Sequence, residues 1–274
     1  MRALLPTTAR ILPALLLLLG APAGAQVRDA REWLDDCRSG RWGGDDARAC
    51  DVREVTIPAR GRVVVDGGEN GGVSVTGWDR NEIRVVARIQ AQAGRDADAR
   101  AVLDDIRIET SETIRATGPR NRSRESWSVT FDVYVPRRTD LSLDTHNGGV
   151  RIENVEGAVR FSAVNGGVSL ADLAGDVRGE TENGGLTVTL AGDRWRGAGL
   201  DVRTQNGGVR LAIPTRYDAQ LETGTVNGPV ESSFPITVTL NSRQSWKRFN
   251  TTLGSGGARI RAVTTNGPMS LMRP

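Results

Sequence analysis

Thr145-His146-Asn147-Gly148-Gly149-Val150-Arg151-Ile152 returns as Ala163-Val164-Asn165-Gly166-Gly167-Val168-Ser169-Leu170 and again as Thr181-Glu182-Asn183-Gly184-Gly185-Leu186-Thr187-Val188. Asn-Gly also stands at Asn70, Asn206, Asn227 and Asn266, and from Asn147 onward the steps are 18, 18, 23, 21 and 39 residues. A threonine precedes the asparagine by two positions at Thr145, Thr181, Thr204, Thr225 and Thr264, with Ala163 as the exception. Apolar residues follow at Val150, Val168, Leu186, Val209, Val230 and Met269, then after one intervening residue at Ile152, Leu170, Val188, Leu211 and Leu271. That alternation is the period of a half-buried strand. Gly157-Ala158-Val159-Arg160-Phe161 and Gly175-Asp176-Val177-Arg178 mark the middle of the unit. Each unit therefore reads as strand, turn at glycine, strand, turn at Asn-Gly, since Asn and Gly tolerate positive φ.

Repetition of one unit predicts an all-β chain of β-solenoid type, in which each unit hydrogen-bonds to the next over a shared apolar column. A meander or sandwich of hairpins is the alternative. A stack aligns Asn147, Asn165 and Asn183 as a ladder of amides and leaves Asn70 outside the regular array. The 39-residue step reads as two ordinary ones, with Leu253-Gly254-Ser255-Gly256-Gly257-Ala258-Arg259-Ile260 as a degenerate copy.

Upstream, strands are predicted at Val63-Val64-Val65, Val73-Ser74-Val75, Ile83 to Ile89, Ile106 to Glu109 and Trp127 to Val135, where Pro136 ends the run. The alanine-rich stretch from Asp96 to Asp105 predicts one short helix, placed to cap the open end of the stack. Arg2 and Arg10, the apolar run Ile11 to Leu19 and Ala23-Gly24-Ala25 have the form of a secretory signal peptide cleaved before Gln26. The apolar run is shorter than the roughly 20 residues of a membrane span, and no later segment is long and apolar enough, so no transmembrane anchor is expected after cleavage. The chain thus divides into a signal peptide at 1–25, a leader at 26–55, an N-terminal β region at 56–136 and the Asn-Gly repeat at 137–274. Cys37 and Cys50 are the two cysteines, and an even count in an exported chain predicts a disulfide that closes the acidic, weakly periodic leader.

The formal net charge is +3, falling to +1 once Arg2 and Arg10 are removed, and like charges form no block, which argues against nucleic acid as partner. One histidine, His146, excludes two-histidine zinc motifs. Gly-x-Ser-x-Gly, Ser-x-x-Lys, the P-loop and the dinucleotide fingerprint are absent, so no cofactor or metal is expected. A polysaccharide-cleaving β-helix is the enzymatic alternative and needs acids stacked one unit apart. With an 18-residue step Glu153 falls over Ala171, Asp176 over Ala158 and Glu180 over Ser162, which gives no acid column. Arg160 and Arg178 do stack, and they are the candidate site for an anionic partner such as a glycan or a lipid headgroup.

Three stretches resemble the bacterial "putative adhesin" family of exported domains of unknown function: Val73 to Ile83, Val135-Pro136 through Leu141 to Val150, and Leu253 to Gly257 followed by Thr264 to Gly267. The resemblance implies a β-solenoid-like fold without catalytic residues, connected with adhesion or envelope stress. Family members often carry a membrane anchor or a partner domain, and neither is seen in this sequence. The expectation is a non-enzymatic periplasmic or extracellular protein that offers a rigid β surface to an envelope protein, glycan or lipid headgroup.

Overall fold

The computed structural model describes residues 23–39, 46–122, 124–233 and 247–274. The basic and apolar parts of the expected signal peptide, and Trp42 to Asp45 of the leader, lie outside these residues. In chain order the elements are α1 (Ala23–Arg38), β1 (Ala47–Pro58), β2 (Arg62–Asp66), β3 (Val73–Trp78), β4 (Glu82–Ala93), α2 (Asp96–Asp105), β5 (Arg107–Glu109), β6 (Thr113–Thr117) and β7 (Ser126–Pro136). The repeat supplies β8 (Asp140–Thr145), β9 (Val150–Glu153), β10 (Glu156–Ala163), β11 (Val168–Ala171), β12 (Ala174–Asn183), β13 (Leu186–Thr189), β14 (Gly199–Asn206) and β15 (Val209–Ala212). The chain ends with β16 (Ala219–Asn227), β17 (Val230–Ser232), β18 (Lys247–Leu253), β19 (Arg259–Asn266) and β20 (Met269–Met272). The expected all-β class holds, and α2 covers the predicted helix.

The strands form two ten-stranded mixed sheets. The first runs β1-β4-β7-β3-β9-β11-β13-β15-β20-β17 and the second β18-β16-β19-β14-β12-β10-β8-β2-β6-β5. Each repeat unit gives one strand to each sheet, and equivalent strands pair in parallel. Val150 lies beside Val168, Val168 beside Leu186 and Leu186 beside Val209. In the second sheet Leu141, Val159, Val177, Leu200 and Ile260 follow one another in register. Parallel neighbours need a crossover, commonly a helix; here the crossover is a strand of the opposite sheet. Inward residues of both sheets join one hydrophobic cluster, in which Val159, Val177, Ile152, Leu186 and Leu211 are fully buried.

The Asn-Gly corners turn the chain from one sheet into the other and do not close hairpins. Among the described residues, the non-glycine residues with positive φ are Asn154 and Asp172, at 59° and 48°. They make the second corner of their units, so the mid-unit turn falls there and Gly157 lies inside β10. Their short side chains tolerate the left-handed region. The glycines after the ladder asparagines answer a different demand: a Cβ on Gly148, Gly166 or Gly184 would run into the carbonyl of Gly71, Gly148 or Gly166 on the neighbouring unit. Glycine is needed there for close backbone approach.

Unit length varies where the chain bulges. The 23-residue step carries Trp195, which is buried and donates to the Gly175 carbonyl at 3.0 Å. The 39-residue step is not two units. Leu253 ends β18, an antiparallel edge strand on β16, and Gly254 to Gly257 turn the chain into β19. β19 and β20 then insert between the β14–β15 and β16–β17 units, parallel to both.

The leader, read as acidic and weakly periodic, contains a second helix. Ala30, Trp33, Leu34 and Cys37 in α1 recur at helical spacing, which brief acidic runs obscure. A disulfide joins Cys37 to Cys50 on β1, with Cα atoms 6.3 Å apart. α2 packs on β1 and β4 through Ala99, Ala49 and Ala93, beyond the end of the repeat core.

Candidate functional site

The corner edge is a continuous row of amides. Asn147 donates from Nδ2 to the Oδ1 of Asn70 at 3.1 Å, Asn165 to Asn147 at 2.8 Å, Asn183 to Asn165 at 2.9 Å and Asn206 to Asn183 at 2.9 Å. Asn266 continues it to Asn206 and Asn227 to Asn266, both at 2.8 Å. Asn70 therefore belongs to the row, and the order ends 206, 266, 227 because β19 is inserted. The amides are exposed, so each ladder bond competes with water and contributes about 1 kcal/mol or less.

Beneath the row, the threonines two positions before each asparagine are buried. Thr181, Thr204 and Thr264 donate from Oγ1 to the carbonyls of Gly166, Gly184 and Gly207 on the preceding unit, at 2.8, 2.7 and 2.7 Å. Thr225 reaches the Gly267 carbonyl at 2.9 Å. Ala163 has no hydroxyl to offer Gly148, and Thr145 takes that carbonyl at 2.8 Å within its own corner. The sequence showed the threonine spacing; the reason for it lies in the orphan corner carbonyls.

Arg160 and Arg178 are neighbours in register on the outer face of the second sheet. Both reach Asp176: Arg160 Nη2 lies 2.7 Å from Oδ2 and Arg178 Nε 3.1 Å from Oδ1. The hydrogen bond from Arg160 is the largest effect on the Asp176 carboxyl; desolvation opposes it, and the charges of both guanidiniums help to hold the group below its ordinary range. Sequence columns placed Asp176 over Ala158, which is correct, but hid this contact because it is diagonal. Long side chains reach the i, j±2 neighbour across strands. The face continues as alternating charge: Arg203 with Glu180 at 2.6 Å, Arg261 with Asp201 at 2.7 Å and with Glu222 at 3.1 Å, and Arg259 with Glu222. At its other end Asp144 lies beside Asp66; burial, reinforced by Asp66, pushes the Asp144 carboxyl up.

The outer face of the first sheet is of another kind. One row across it is Ser74, Arg151, Ser169, Thr187, Arg210 and Ser270. The next is Thr76, Glu153, Ala171, Thr189, Ala212 and Met272. Short hydroxyl-bearing side chains make up half of these positions, and Arg151 pairs with Glu153 at 3.2 Å. Toward α1 the face becomes aromatic, with Trp78 and Tyr134 ring centroids 5.5 Å apart and Arg84 over Tyr134.

His146 is exposed at its corner, and its backbone N–H donates to the Gly68 carbonyl at 3.2 Å. Among the described residues no three His, Cys, Asp or Glu side chains gather in a way that would hold a metal ion. No helix among them is long and apolar enough to cross a membrane.

No family model matches the chain, and no curated protein does. Solved structures do match. A "putative cell adhesion protein" from Clostridium sporogenes is 9% identical, with a TM-score of 0.41, over 82% of this chain and 100% of that one. A "putative adhesin" from Bacteroides fragilis is 9% identical, with a TM-score of 0.34, over 82% and 97%. A "putative adhesin" from Parabacteroides merdae is 9% identical, with a TM-score of 0.33, over 82% and 96%. Their names agree with the resemblance read from the residues.

Proposed function

We propose that this chain is a non-enzymatic, exported protein of the cell envelope whose β-solenoid-like stack presents a rigid face for binding or scaffolding. The observation that carries the reading is the outer face of the first sheet. Its serines and threonines, Ser74, Ser169, Thr187 and Ser270 in one row and Thr76 and Thr189 in the next, are held in parallel register, so their spacing is set by the backbone. Such a face offers hydroxyl donors and acceptors at small entropic cost, because short side chains have little rotamer freedom to lose. It suits an extended polar partner, a glycan or the surface of another envelope protein. The disulfide supports a place outside the cytoplasm, and with the sequence of the first 25 residues it supports export with cleavage before Gln26. An anionic partner at Arg160 and Arg178 would have to displace Asp176 from both guanidiniums, so the second sheet is the weaker candidate for the binding face.

The test is capture from an envelope extract by wild-type protein and by a Ser169→Glu, Thr187→Glu variant. Both positions are partly exposed and point outward, so the variant is expected to fold and to lose the partner. Capture of the same partner in equal amount by both proteins would remove the first sheet from the account.

A further inference from the structure

A cavity of about 500 Å3 lies at the far end of the molecule, between the segment joining β15 to β16 and the turn joining β18 to β19. That size is within the roughly 300–1,000 Å3 of small-molecule sites. Pro214, Tyr217 and Leu253 supply apolar surface to its lining. Tyr217 is buried, and burial, with Arg196 opposing it, pushes its phenol up to about 12, so this wall stays uncharged.

Arg216 and Arg273 line the same cavity and are exposed. Among the described residues neither has a carboxylate partner, and Arg273 reaches no more than the Thr215 hydroxyl at 3.4 Å. This sets them apart from the arginines of the second sheet, where Arg160, Arg178, Arg203, Arg259 and Arg261 each meet an acid. The acid in the cavity lining, Asp218, is already engaged, because its Oδ1 accepts the Ser255 backbone N–H at 2.8 Å. Two guanidiniums outside any ion pair among the described residues, against the single carboxylate of Asp218, make a lining that is net positive and carries an apolar wall.

We propose that this cavity binds a small anionic amphiphile, with a carboxylate or phosphate head held by Arg216 and Arg273 and an apolar body against Pro214, Tyr217 and Leu253. Guanidinium forks match both oxyanions, and the apolar wall favours anions that carry a tail over simple ones. The site is separate from the sheet faces, so its failure leaves the proposed function untouched.

Isothermal titration of the full chain with dodecanoate and with dodecyl phosphate tests this and tells the two heads apart. Dodecyltrimethylammonium, acetate and inorganic phosphate are the controls. At least one anionic amphiphile is expected to bind saturably at one site. The Arg216→Ala, Arg273→Ala variant should weaken it about tenfold or more, and Leu253→Ser should weaken it separately. Equal binding of dodecyltrimethylammonium, affinity unchanged in the arginine variant, or inorganic phosphate binding as tightly as dodecyl phosphate would overturn the proposal. A thermal melt of each variant with a wild-type midpoint excludes misfolding as the cause of any loss.

Discussion

Gly166 and Gly167 are adjacent and chemically identical, yet their surroundings differ. A Cβ on Gly166 would strike the Gly148 carbonyl, whereas on Gly167 the nearest atom is the Gly185 carbonyl oxygen at 3.6 Å, an ordinary contact. Gly166→Ala should therefore destabilise by about 2 kcal/mol, the usual cost of forcing backbone apart. Gly167→Ala should stay within about 0.5 kcal/mol of wild type. Denaturant melts decide it, and equal losses would contradict close packing between units. The carboxylates give a second residue-scale outcome. Asp144 is shifted up, so its preference for the folded state is full below the unfolded value and fades as pH rises through the folded one. Asp176 is shifted down, so its contribution is present above the unfolded value and is lost as pH falls through the folded one. Asp144→Asn should thus gain on wild type as pH rises from acid to neutral, while Asp176→Asn should lose; stability curves against pH for the two variants check both signs. At this scale the asparagine and threonine spacing was legible in the sequence because it repeats. The Asp176 contact was not, because a diagonal pair leaves no periodic trace.

Strands and α2 were legible as elements, since alternation and an alanine-rich run declare themselves locally. α1 was missed because its apolar positions, Ala30, Trp33, Leu34 and Cys37, are few and sit among acids. Asn-Gly alone signals a hairpin, and its regular spacing is what points to a stack; the mid-unit turn expected at Gly157 lies at Asn154, whose short side chain tolerates the left-handed region as glycine does. The disulfide is the covalent tie between α1 and β1. Reducing it, or replacing Cys37 and Cys50 by Ser, should release α1 while the sheets persist. Loop entropy sets the loss at up to about 3 kcal/mol. Hydrogen exchange should then show α1 amides unprotected and those of β8 to β15 unchanged; protection lost across the sheets as well would show that the helix is integral to the core.

For the whole molecule, the parallel step of 18 residues was readable from Asn147 to Asn183, where loops add nothing. The C-terminal order was not, because inserting β19 and β20 between earlier units depends on the packing of whole strands and leaves the local pattern unchanged. Parallel register between successive units defines the fold. Nuclear Overhauser contacts in isotope-labelled protein measure that register directly. Backbone protons of Val168 should lie close to those of Val150 and of Leu186, and those of Val177 close to Val159 and Leu200. Antiparallel backbone contacts inside one unit, such as Leu143 against Ile152 across the Asn147 corner, would instead mark a hairpin and contradict the account.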